Sequence, residues 1–219
     1  MSNKRVAVIL AGCGHQDGAE VHESVCTLLA IDRAGAKYQI FAPDKNQHDV
    51  MDHVAKKPVG EKRNVLTEAG RIARGNVKPL STLSMADYDA LVLPGGFGAA
   101  KNLIDYGVKG AKCGIDADME RVLKEARTQN KPIGAICIAP VIVARALGAD
   151  HHPTLTIGKD AGTAGDLEKM GAKHQEAPPD GIVVDEANRV VSTPAYMSAT
   201  RITEVSDGIT KLVERVLAF

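Results

Sequence analysis

The sequence predicts an α/β fold in which a mostly parallel β-sheet is covered by helices on both faces. Short runs of Val, Ile, Leu and Ala, such as Val6-Ala7-Val8-Ile9-Leu10, lack the polar alternation of a half-exposed strand. Strands buried on both faces read this way. Stretches with helical spacing separate these runs, so strand and helix alternate along the chain. Glycine-rich or sharply turning loops follow three of the apolar runs, at the positions where an open parallel sheet gathers its ligands.

The first strand is expected over Arg5 to Ala11. Its apolar run, behind Lys4-Arg5 and ending at Ala11-Gly12-Cys13, mimics a signal peptide. It falls short of the ~7–15 apolar residues of such a region, which favours a buried strand. A helix follows over about Glu20 to Ala34, then a strand over Lys37 to Phe41. Residues 43–80 are polar and basic, with helical character only over Asn64 to Ala73. A structureless loop of that length is uncommon in a compact domain, so a lid-like or functional insertion is predicted, with a solvated surface excursion as the alternative. Ala90 to Leu93 and Pro132 to Ile136 are the next strands, separated by a helix over Asp116 to Gln129 that Asn130 and Pro132 stop. Ile182 to Asp185 and Arg189 to Ser192 flank Glu186-Ala187-Asn188 as a hairpin. The last helix, Ser198 to Leu217, carries Ile202, Val205, Ile209, Leu212, Val213 and Val216 at helical spacing, weakened slightly by Gly208.

With 219 residues, 44% of them hydrophobic, one domain over 1–219 with one substantial core is expected. Lys+Arg and Asp+Glu are both 27, so no net field draws the chain to nucleic acid or an anionic membrane. A small-molecule partner is favoured. Cys13, Cys26, Cys113 and Cys137 form no Cys-x-x-Cys pair, which argues against a zinc knuckle or a disulfide framework and for a reducing compartment. No apolar run reaches the length of a membrane span, and a soluble cytoplasmic protein is expected.

Three loops can carry chemistry. Gly12-Cys13-Gly14-His15-Gln16-Asp17-Gly18 has the wrong glycine spacing for a dinucleotide fingerprint, and Asp17 with Glu20 fits a helix N-cap and its return partner. Pro94-Gly95-Gly96 lets backbone N–H groups turn towards a developing negative charge, half of an oxyanion hole whose other half would be the N–H of Ile138, with a plain tight turn as the alternative. Cys137 stands between a strand and a helix, with small Ala135 and Ala139 two places either side, as a nucleophile elbow requires. The helix mouth would favour a thiolate. A buried core cysteine is the alternative.

Partners for this thiol are less legible. His151, His152 and His174 form no triad pattern, and His48 and His53 lack the i, i+4 spacing of a helical zinc pair. Glu20 and Glu23 open the first helix at the same sheet edge. Val21, Val25, Leu28 and Leu29 cluster on one side of that helix with Glu23 nearly opposite, so periodicity puts Glu23 on the solvated face. Buried beside the thiol it would instead have a raised pKa and could shuttle a proton.

The order Gly18-Ala19-Glu20-Val21-His22-Glu23, then Pro94-Gly95-Gly96, then the strand–Cys137–helix elbow resembles the ThiJ/PfpI superfamily, the class I glutamine amidotransferase-like group. More closely, the chain is similar to its ElbB (enhancing lycopene biosynthesis) glyoxalase subfamily. Asp17 to Glu23, Phe41 to Lys45, Arg63 to Leu66, Pro94 to Leu103, Cys137 to Pro140 and Thr193 to Met197 carry that likeness, as does the insertion at Arg63 to Gly75. The resemblance implies a flavodoxin-like sandwich and a homodimer, with no cofactor and no metal. It assigns catalysis to Cys137 and Glu23, and oxyanion or substrate binding to Gly95, Gly96, Ile138 and Glu20. Where some superfamily members have a catalytic histidine, Leu155-Thr156-Ile157 runs into Gly158, which argues against amide hydrolysis.

The function so implied is a glutathione-independent glyoxalase. It would convert glyoxal, and less surely methylglyoxal, to the hydroxy acid through a cysteine hemithioacetal. Loss of the Glu23 carboxylate is then expected to raise the pH at which Cys137 titrates. The alternative implied function is a cysteine redox sensor or partner-binding protein linked to isoprenoid metabolism.

Overall fold

The computed structural model describes residues 3–219. In chain order its first elements are β1 (Arg5–Ile9), α1 (Val21–Arg33), β2 (Lys37–Ala42), β3 (Met51–Asp52), β4 (Lys57–Pro58), α2 (Val65–Ala73) and β5 (Val77–Pro79). Next come β6 (Ala90–Leu93), α3 (Phe97–Asn102), α4 (Tyr106–Lys109), α5 (Ala117–Thr128), β7 (Ile133–Ile136) and α6 (Pro140–His151). The chain ends through β8 (Thr154–Leu155), α7 (Ala161–Lys169), β9 (Lys173–His174), β10 (Val183–Asp185), β11 (Val190–Thr193) and α8 (Ile202–Ala218).

The main sheet has the order β10-β11-β7-β6-β1-β2-β5, parallel throughout except for the β10–β11 hairpin. Successive side chains along each strand point to opposite faces and feed two cores. Ala7, Ile9, Leu91, Leu93, Ile133 and Ala135 join residues of α3, α5, α6 and α7, whereas Val6, Val8, Leu10, Ala90 and Val92 join α1, α2 and α8. The apolar run behind Lys4-Arg5 is therefore the central strand β1, paired on both edges. At Gly134 an added Cβ would lie 2.7 Å from Leu212 of α8, so glycine there lets the last helix seat on the sheet. The chain runs outward from β1 to β2 and β5, then crosses back to β6 on the other side. This makes the β1–β6 junction the topological switch point, where the loops after β1, β6 and β7 meet.

Helix α1 overturns the face assigned to it by periodicity. Glu23, Ser24, Thr27, Ala30 and Ile31 are its buried residues, while Val21, Val25 and Leu29 are 36%, 50% and 42% exposed. Its inner face can be polar because each hydroxyl is satisfied within the helix, Ser24 Oγ donating to the Glu20 carbonyl and Thr27 Oγ1 to that of Glu23. The small side chains also admit close packing against α8. The predicted cap shifts too: Glu20, not Asp17, is the N-cap, its carboxylate accepting the Glu23 N–H at 2.7 Å.

The 43–80 segment divides in two. α2, capped by Asn64, and β5 complete one face and one edge of the main sheet. Between Asn46 and Asn64, which bridge each other, lies an excursion built on the β3–β4 hairpin. Asp17 anchors it by accepting the Met51 N–H at 2.7 Å.

Candidate active site

Cys137 follows β7 directly and takes the left-handed conformation, with φ of 61°. Such backbone costs a non-glycine residue about 1–3 kcal/mol and persists only where its surroundings enforce it. Here the Cys137 N–H donates to Thr193 O at 2.9 Å and the Ala139 N–H to Ile136 O at 3.0 Å, while Ala135 and Ala139 are fully buried. Pro140, in the first turn of α6, starts the helix without needing a backbone donor. This is the predicted elbow.

Glu23 is 0% exposed and lies against the thiol. One carboxyl oxygen accepts the Gly95 N–H at 3.0 Å, the other the Tyr196 N–H at 3.3 Å, and the carboxyl also hydrogen-bonds Cys137. Burial, then the Glu20 charge, push the Glu23 pKa up to about 7. The N–H groups of Gly96 and Ile138 both point at Cys137 Sγ. An oxyanion on a carbon bonded to that sulfur would lie within their reach.

Two expectations need correction. The Gly95 N–H is committed to Glu23, and the Gly95 carbonyl accepts from the Glu20 N–H at 3.0 Å, so Gly95 positions Glu23 and has no donor for a substrate. A Cβ there would sit 2.6 Å from Cys137 Cβ and 2.9 Å from Glu23 Oε2, which explains the glycine. The thiolate-favouring helix mouth is also outweighed. Burial and the charge of Glu23 hold the Cys137 thiol well above its ordinary range, against the two backbone donors. A helix end supplies ~0.3–2 kcal/mol, less than the several kcal/mol of burying an ion. The resting pair is therefore a thiol beside a carboxyl group poised to take its proton.

The remaining predicted residues fall as follows. Gly96, at φ of 94°, brings its N–H to the sulfur, and a Cβ there would lie 2.5 Å from Gly18 O. Glu20 caps α1 and also lines the pocket in front of Cys137. The glycines of the first loop serve tight packing: the Gly18 N–H donates to Gly14 O and the Gly98 N–H to Gly18 O, at 2.7 and 2.9 Å.

The pocket has a volume of about 390 Å³. Only Glu20, Gly96, Cys137 and Ile138 of its lining were expected from sequence, and among the others His15 and Tyr196 bear on the site's geometry. His15, from the loop after β1, lines it and packs edge-on against His53 of the excursion, with ring centroids 5.1 Å apart. Tyr196 holds Glu23 through its N–H, lines the pocket, and hydrogen-bonds His22 Nδ1 through its hydroxyl at 2.7 Å. The histidines downstream of Cys137 do not line the pocket. His151 and His152 lie at the far end of α6, about 18 Å along the helix at 1.5 Å per residue, and His174 is in β9. The usable signal was position, since His15 and Tyr196 both follow strands of the sheet edge that carries Cys137. Among the described residues no three His, Cys, Asp or Glu side chains are grouped to hold a metal ion.

The DJ-1/PfpI family profile matches residues 4–201. The chain belongs to the DJ-1/PfpI family. A human mitochondrial relative, glutamine amidotransferase-like class 1 domain-containing protein 3, is 46% identical over 97% of this chain and 82% of its own length. The mitochondrial ES1 protein homolog of Rattus norvegicus is 44% identical over 97% of this chain and 83% of its own. Among solved structures, an isoprenoid biosynthesis protein with an amidotransferase-like domain from Ehrlichia chaffeensis is 39% identical, with a TM-score of 0.92 over 98% of both chains. Drosophila melanogaster DJ-1beta, at 17% identity and a TM-score of 0.56 over all of this chain and 92% of its own, shares the fold. No helix among the described residues is long and apolar enough to cross a membrane.

Proposed function

We propose that this DJ-1/PfpI protein is a glutathione-independent glyoxalase of the ElbB type, acting on glyoxal and its substituted relatives. The observation that carries the reading is the fully buried Glu23, its pKa about 7, hydrogen-bonded to Cys137, which lines a pocket. As sulfur attacks an aldehyde carbon, the ionised Glu23 takes the thiol proton, and the N–H groups of Gly96 and Ile138 hold the new oxyanion. Glu23 returns that proton to the oxygen, giving the hemithioacetal. It then moves the carbon-bound proton to the neighbouring carbon through an enediol. The aldehyde carbon is thereby oxidised and its neighbour reduced, with no outside redox partner. Water cleaves the resulting thioester to the hydroxy acid and restores the thiol.

The amidotransferase-like names of the relatives invite a second reading, amide hydrolysis. Against it, no histidine reaches the thiol from the chain beyond the elbow, and no lysine or arginine lines the pocket to meet the carboxylate of glutamine. Against a redox sensor stands the raised thiol pKa, since oxidation by peroxide runs through the thiolate. The test is glyoxal consumption and glycolate formation without added thiol, wild type beside Cys137→Ala. Turnover retained by the variant refutes the reading. We also propose a cytoplasmic homodimer, whose contact the exposed Val21, Val25 and Leu29 stripe of α1 would supply.

A further inference from the structure

The pocket is much larger than the smallest dicarbonyl needs. Its volume of about 390 Å³ falls in the ~300–1,000 Å³ range of sites that bury ligands of drug size, whereas glyoxal is a two-carbon dialdehyde. The N–H groups of Gly96 and Ile138 point at Cys137, and Glu20, His15 and Thr163 add polar side chains to the lining. Elsewhere the walls are mainly apolar and aromatic, including Phe97, Ala100, Tyr106 and Met197. Phe97 is 56% exposed, although it opens α3 immediately after the oxyanion glycine Gly96. An aromatic side chain held open to water at the mouth of a reactive pocket offers a face to an apolar substituent. The pocket's charge narrows the class further. Its lining carries one carboxylate, Glu20, one histidine, His15, and no lysine or arginine, so a phosphate or carboxylate on the substrate would be desolvated beside a like charge with no permanent cation to meet it.

Resting on the glyoxalase reading above, we propose that the preferred substrates are uncharged α-oxoaldehydes carrying an aryl or medium-length alkyl group. The aldehyde carbon faces Cys137, and the substituent lies between Phe97, Tyr106 and Met197. The chemistry is unchanged: the thiol adds across the aldehyde, the enediol step oxidises that carbon and reduces the ketone carbon, and water releases the substituted hydroxy acid. Phenylglyoxal would yield mandelate. Burying a phenyl ring that glyoxal lacks is worth about tenfold to a hundredfold in kcat/KM.

The experiment measures kcat/KM for glyoxal, methylglyoxal and phenylglyoxal without added thiol, with each hydroxy acid identified as product. The expected order is phenylglyoxal, methylglyoxal, glyoxal, with the gain mainly in KM. Two variants separate pocket fit from the aldehydes' own reactivity. Phe97→Ala, at an exposed position, should lower kcat/KM for phenylglyoxal about tenfold more than for glyoxal, and Ala100→Leu, which fills the wall, should do the same. Glyoxal turned over as well as or better than phenylglyoxal, or Phe97→Ala lowering both equally, overturns the proposal and leaves the glyoxalase reading standing. No turnover of any of the three by wild type overturns that reading and the proposal with it.

Discussion

Replacing Glu23 by glutamine should reverse in sign between acid and alkaline pH. Glu23 is wholly buried and its pKa is pushed up to about 7, against about 4.3 for a free glutamate. The folded state thus binds a proton that the unfolded chain has already released. Stability conferred on the protonated form is present below pH ~4 and lost as pH rises to about 7. At 1.36 kcal/mol per pKa unit the loss between pH 4.5 and 8 is about 3 kcal/mol. Glutamine does not titrate, so the variant avoids it. It offers one carbonyl oxygen where the carboxylate accepts from both Gly95 and Tyr196, and an orphaned N–H costs about 1–3 kcal/mol at every pH. The variant should be less stable than wild type at pH 4.5 and more stable, or close to it, at pH 8. Urea unfolding at pH 4.5, 6 and 8 reads the difference, and the fixed hydrogen-bond cost cancels from its change with pH. A difference between the two proteins that stays constant across this range would refute a raised Glu23 pKa.

The same Glu23→Gln variant should show a lower Cys137 thiol pKa, read from the pH dependence of iodoacetamide alkylation, because the charge that opposes the thiolate is gone. This reverses the direction expected from sequence. In wild type, glyoxal kcat/KM should rise about tenfold per pH unit up to about 7 and then level, as Glu23 must be ionised to accept the thiol proton. A flat profile from pH 5 to 8 would exclude that role. Gly95→Ala should lower stability by about 1–3 kcal/mol or more by thermal unfolding, since the new methyl would stand 2.6 Å from Cys137 Cβ. Val25→Glu, at a position 50% exposed, should leave the fold intact by circular dichroism and give a monomer by light scattering; an unchanged dimer places the contact elsewhere.

The sheet strands β1, β2, β6 and β7, the β10–β11 hairpin and the elbow were legible because their causes are local. A strand buried on both faces must be apolar throughout, and a nucleophile turn must be flanked by small residues such as Ala135 and Ala139. Periodicity said which face of α1 is apolar. It could not say which face is inward, and the inner one proved to be the polar face with Glu23, whose hydroxyl neighbours bond within the helix. Glu23 itself was picked out by its place in a family pattern.

What the tertiary structure alone decided comes from contacts far apart in the chain. Gly95 reaches Glu23 across 72 positions and Tyr196 across 173, so neither the use of the Gly95 N–H nor the role of Tyr196 could be read from spacing. The protonation of Cys137 is of the same kind. The sequence supplied the thiol, its turn and the helix mouth behind it; burial in the assembled core, together with the carboxylate delivered there, set the thiol's pKa, because desolvation belongs to the packed site and not to any segment that forms it.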